Sequence, residues 1–127
     1  MGRLWMVFGG IYGLLTVLLG AFGAHALKDV LTPDLAPIYD TATKYMMFHA
    51  LALLALGLWA QLDRWVSTFW SGVFFSVGTF IFSGSLYAIV FTGERWLGMI
   101  TPLGGTGLIL GWLLFIYSIA RARSRFI

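Results

Sequence analysis

His25 stands in "GAFGAHALKDVLT" (residues 20–32), where a long apolar run gives way to charge. His49 stands five residues after Lys44, inside a second apolar run. Thr41, Tyr45 and His49 fall at i, i+4 and i+8, so on a helix they share one stripe. Ser83, Ser85 and Tyr87 close a third run, and Thr106 lies near the start of a fourth. A set of this kind could serve three chemistries. Neutral imidazoles can hydrogen-bond between membrane helices, at about 0.6 kcal/mol per interaction on average. A histidine-containing pocket could take up a proton, an ion or a small solute, because ionisable groups inside a membrane are functional candidates by default. Two histidines on different helices at one depth could flank a haem iron. No further haem signal accompanies them, and zinc wants more ligands than two histidines supply. The expectation is a structural pair and no cofactor. Acid–base catalysis would rest on His25, His49 or Tyr45 alone, since no carboxylate falls deep in an apolar run. An enzyme is therefore not expected.

The elements that position these residues follow from the charges. The 127 residues are 60% hydrophobic and 10% charged, with mean hydropathy +0.90. Water-soluble domains carry roughly 25% charged residues, so this chain cannot cover a water-facing surface. It has no cysteine, and thus no disulfide, thiolate metal site or cysteine nucleophile. Uncharged stretches of 24, 18, 29 and 25 residues separate Arg3 from Lys28, Lys44 from Asp63, Arg64 from Glu94, and Arg95 from Arg121. A helix needs about 20 apolar residues to cross the hydrocarbon. Four spans are predicted, at roughly 4–26, 44–62, 66–92 and 97–120, in one transmembrane domain over residues 1–127. The fold class is all-α, an integral membrane four-helix bundle. The "AHA" at 24–26 mimics a signal cleavage site, but a signal core of about 7–15 residues is shorter than this first run.

Four spans place both termini on one side. That side collects Arg3, Arg64, Arg121, Arg123 and Arg125. The other holds Lys28, Lys44 and Arg95, with Asp29, Asp34, Asp40 and Glu94. The positive-inside bias puts the termini in the cytoplasm. It also accounts for the net charge of +3 without a nucleic-acid partner. Trp5, Trp59, Trp65 and Trp70 are expected in the aromatic belt of the terminal side, and Trp96 in the opposite one. The loop at 28–43 reads as partly helical, with Thr32 as N-cap, Pro33 and Asp34 in a first turn, and an Asp40–Lys44 pair. By helical rise, His25 and His49 lie roughly 5 and 7 Å inside the outer boundary, and Ser83, Ser85 and Tyr87 about 7–14 Å inside it. The polar groups therefore gather in the outer half of the bundle.

In lipid, helices associate by close packing of small residues. Gly9, Gly13, Thr16, Gly20 and Gly23 recur at steps of three and four, as do Gly72, Ser76, Thr79 and Ser83, and then Gly104, Gly107 and Gly111. These are the expected seams. The "GGTG" at 104–107 lacks the following Lys-Ser/Thr and preceding strand of a phosphate-binding loop.

Four segments together resemble one family of small membrane proteins, DUF423 or UPF0382, with animal relatives: "LGAFGAHALK" at 19–28, "YDTATKYMMFHALALLALG" at 39–57, "FSGSLYAI" at 82–89 and "ITPLGGTGLILGW" at 100–112. The resemblance covers almost the whole chain in order and departs chiefly in the third span before Phe82 and in the loops. It implies a four-span protein of a bacterial cytoplasmic membrane, or of mitochondria in animals, and supplies no activity. Two functions compete. The first is a non-enzymatic component, an accessory subunit of a larger membrane complex or a self-associating structural element. The alternative is an oligomeric transporter or channel component for an ion or small solute, with His25 and His49 in its polar pocket. The bilayer is the expected partner, and a homo-oligomer or a larger membrane complex is open beside it.

Overall fold

The computed structural model describes residues 1–122, which form four long helices and no strand. These are α1 (Gly2–His25), α2 (Ala36–Leu62), α3 (Val66–Thr92) and α4 (Thr101–Arg121), with a short 3-10 turn at Arg95–Met99. All four are long and apolar enough to cross a membrane. They pack in chain order, α1 on α2, α2 on α3 and α3 on α4, with a lighter α1–α3 contact. Met1, the 63–65 turn and the end of α4 share one end of the bundle. The 26–35 and 93–100 segments share the other. Arg3, Arg64 and Arg121 lie at the terminal end; Arg123 and Arg125, expected beside them, lie outside the described residues.

Local chemistry sets the helix limits. The Thr32 hydroxyl donates to Asp34 instead of capping a helix, and the Thr32 carbonyl accepts from Leu35 and Ala36. The helix therefore starts four residues after the expected cap, with Pro37 in the first turn, where no amide hydrogen is needed. From there α2 runs unbroken through the Asp40–Lys44 pair, 2.9 Å apart, into the apolar span. Asp34 also accepts from Arg95 at 2.6 Å, tying the two loops of that end together. The Thr32 hydroxyl, and then the Arg95 guanidinium, hold its carboxyl below the usual carboxylate range. Gly93 stops α3 in a left-handed conformation, φ +76°, open to glycine at no steric cost.

Large apolar side chains cover the outside. Val17, Phe80 and Leu103 are 69%, 72% and 68% exposed, a surface suited only to hydrocarbon. Phe75, Leu53 and Leu56 lie fully inside. Trp5 differs from its expected place in the interfacial belt. It is 3% exposed, because its indole fills the notch that Gly72 leaves on α3.

The glycines divide by azimuth. A Cβ on Gly9 would stand 2.8 Å from the Ala50 carbonyl oxygen, on Gly23 it would overlap Tyr39, and on Gly111 it would stand 2.7 Å from the Phe75 ring. Gly78 and Gly104 bring α3 and α4 backbones together, and Gly2 and Gly57 do the same for α1 and α2. Gly13, by contrast, has nothing within 4 Å, and Gly20 has only Thr43, at 3.9 Å. The expected α1 face was too broad. Its buried small residues recur every seven positions (Gly2, Gly9, Thr16, Gly23), and Trp5 is buried beside them against α3. A Cβ on Gly107 would stand an ordinary 3.6 Å from Gly78 Cα, so Gly104 rather than Gly107 sets the α3–α4 distance.

Candidate functional site

His49 is the polar centre of the bundle. It is 3% exposed on α2, turned toward α3 and α4, with Phe75 and Trp112 against its ring. Its Nδ1 lies 2.8 Å from the Tyr45 carbonyl oxygen, and the Trp112 indole donates to its Nε2 at 3.0 Å. The partners assign the tautomer. A carbonyl only accepts, so Nδ1 carries the hydrogen; an indole N–H only donates, so Nε2 holds the lone pair. Both nitrogens of a neutral ring are therefore engaged. A second proton would turn the Trp112 bond into two facing N–H groups, and an iron at Nε2 would displace the indole.

His49 lies 14 residues above Asp63 along α2, and Trp112 lies nine above Arg121 along α4. By helical rise this is about 14–21 Å from the terminal end, deeper in a core about 30 Å thick than the roughly 7 Å below the outer boundary expected from Lys44.

The other candidates form separate groups. Ser83 donates to the Ala42 carbonyl at 2.8 Å, and Tyr87 meets Thr43 at 2.7 Å, both joining α3 to α2. Ser85 faces the other way and meets Thr101 of α4 at 2.5 Å. Thr106 is exposed and donates to the Pro102 carbonyl on its own helix. Thr41 is half-buried. Tyr45 is 45% exposed, its ring tilted against Phe82 with centroids 4.5 Å apart. His25 differs most from expectation. It is exposed in the last turn of α1, and no hydrogen bond ties it to His49 or to any other described residue. On the last turn of α1 it faces away from the other polar groups.

Two features lie beyond those candidates. Asp63, only 1% exposed, accepts from Arg121 through both oxygens at 2.8 Å and from the Thr68 hydroxyl at 2.6 Å. The guanidinium also lies over the Trp65 ring, 4.1 Å from its centre. This clasp fastens the end of α4 to the α2–α3 turn, and one signal could have found it: Asp63 is the sole acid on the side that gathers the arginines. Tyr12, unremarkable in sequence, donates from mid-α1 to the Ser76 carbonyl of α3 at 2.6 Å. Between α2 and α4, on the side of the His49–Trp112 bond away from the termini, lies an open groove of about 610 Å³. It is walled by Tyr45, Phe48, Phe82, Ile109 and Trp112, with Lys44 at its rim.

The family model described as "Protein of unknown function (DUF423)" matches residues 19–105. A UPF0382 membrane protein of Staphylococcus epidermidis is 39% identical over 114 residues, 90% of this chain and 93% of that protein. The UPF0382 inner membrane protein YgdD of Escherichia coli (strain K12) is 35% identical over 123 residues, 97% and 94% of the two chains. No solved structure matches.

Proposed function

The chain belongs to the DUF423 family of UPF0382 membrane proteins, integral to the bacterial inner membrane, and we propose that it is a non-enzymatic component that works by lateral association, as an accessory subunit or a self-associating element. The observation that carries this reading is the state of His49. Its two nitrogens are spent on Tyr45 and Trp112, so the one buried imidazole among the described residues holds helices together and has no lone pair free for a proton, a haem iron or a solute. The bundle has no resident cofactor on this reading. The outward face of α1 supports it further. Gly10 and Gly13 leave open space among exposed Val7, Leu14 and Val17, a surface on which a second helix could approach closely.

Extraction in mild detergent with mass determination tests it. The expected result is a defined assembly larger than one chain, either homo-oligomeric or with a stoichiometric partner. Gly13→Leu should shrink that assembly without changing the thermal stability of the bundle, because nothing in the bundle lies near that position. A lone monomer that carries solute flux in proteoliposomes would instead establish the transport reading.

The basic asymmetry supports a reading with both termini in the cytoplasm. With no native cysteine, Asp29→Cys should react with a membrane-impermeant maleimide in intact cells, and Ser124→Cys only after permeabilisation. The opposite pattern would invert the orientation.

A further inference from the structure

The α2–α4 groove ends near the middle of the bundle, and that half-length identifies its occupant. We propose that the groove holds one acyl chain of an amine-bearing phospholipid from the leaflet opposite the termini, with the headgroup phosphate at Lys44 and the amine at Asp40. The inference does not depend on what the protein associates with.

The groove opens sideways, between Phe48 and Ile109, which are 58% and 62% exposed and face the hydrocarbon. Its floor is buried Leu108 and His49. Along α4 its lining runs from Gly105 to Trp112, seven steps or about 10 Å of helix. A partner helix crossing the membrane would need a seam along about 30 Å. Here the His49–Trp112 bond, backed by Phe75 and Phe115, closes the groove near mid-membrane. What reaches from a headgroup to that depth and stops is the acyl chain of one leaflet. The rim supplies the matching charge. Lys44 lines the rim and pairs with Asp40 one turn back on α2; the two are 68% and 62% exposed, and an exposed pair of this kind contributes little by itself. Its cation can re-partner with a phosphate and its carboxylate with an ammonium, the two charges of a phosphatidylethanolamine headgroup.

The test uses the purified full-length protein reconstituted with phosphatidylethanolamine carrying a photoreactive group on its acyl chain, cross-link sites being mapped by peptide mass spectrometry. Labelling should concentrate on Phe48, Ile109 and Trp112, several-fold above Phe80, which is more exposed but lies outside the groove. Gly105→Leu should abolish groove labelling and leave that of Phe80 unchanged. A Cβ there would lie an ordinary 3.6 Å from the Phe82 ring, so the added side chain fills the groove without moving the bundle. Lys44→Gln should lower groove labelling about fivefold, equivalent to ~1 kcal/mol for one cation near a headgroup. A phosphatidylglycerol probe of the same chain should label the groove less. Labelling no higher than at Phe80 would mean ordinary boundary lipid and overturn the proposal. Phosphatidylglycerol labelling equal to that of phosphatidylethanolamine would also overturn it.

Discussion

Arg121→Met should destabilise the bundle by about 3–5 kcal/mol, the range for removing one partner of a buried ion pair. The change strands the Asp63 carboxylate, which is 1% exposed and keeps only the Thr68 hydroxyl as a donor. It also removes the guanidinium from the face of Trp65. Asp63→Asn should be milder. Arg121 is 18% exposed at the end of its helix, so its charge can turn toward water once unpaired. The double variant should lose less than the sum of the two singles, because each single strands a group that the double does not. Thermal unfolding of the four proteins in one detergent measures this. Strict additivity would show that Asp63 and Arg121 do not act as a pair. The clasp matters beyond its own energy. It and the His49–Trp112 bond fasten α4 at two heights, to the α2–α3 turn and to α2 itself.

What the chain discloses before folding, and what it conceals, follows from one distinction. Depth along a membrane helix adds residue by residue, so charges separated by 18 to 29 neutral residues locate four spans without knowledge of any partner. Azimuth does not add in this way. Which side of α1 faces α2 depends on how many neighbours α1 has, a property of the assembled bundle. Steps of three and four admit Gly9, Gly13, Thr16, Gly20 and Gly23 alike, whereas the folded helix buries only Gly9, Thr16 and Gly23 of these. His25 is misread for the same reason: it lies on an exposed face. Trp112 escapes notice because an indole in a membrane helix reads as bulk. Only the lone pair on His49 Nε2 makes its N–H a specific partner. Asp63 was legible by sign alone, one acid among five arginines on its side.

Gly104→Ala should destabilise the bundle by about 1–3 kcal/mol, and Gly104→Leu by more, as overpacking of a filled interior does. A Cβ at this position would overlap the Phe82 amide nitrogen and stand 2.8 Å from both the Gly78 carbonyl oxygen and Phe82 Cα. These are backbone atoms of the facing helix, so no rotamer change can make room. The α3–α4 distance must grow instead. Its neighbours in the chain are the controls: at Gly105 and Gly107 the nearest atom lies 3.6 Å away, and alanine there should leave stability nearly unchanged. In detergent unfolding, equal losses for all three alanine variants would mean that propensity or lipid contact, rather than backbone approach, governs this helix. The Gly104 substitutions should also reach the polar centre eight residues further along α4. Separating α4 from α3 draws the Trp112 indole away from His49 Nε2, now 3.0 Å distant, and frees the only lone pair on that ring. Nitrogen NMR of the His49 ring reads this directly. In the native bundle one nitrogen is protonated and the other is a hydrogen-bonded acceptor. Gly104→Leu should leave Nδ1 bonded to the Tyr45 carbonyl, a contact internal to α2, while shifting Nε2 toward the unbonded value. An unchanged Nε2 in a destabilised Gly104→Leu variant would show that α4 hinges locally around position 104 and that the His49–Trp112 bond does not depend on how closely α3 and α4 cross there.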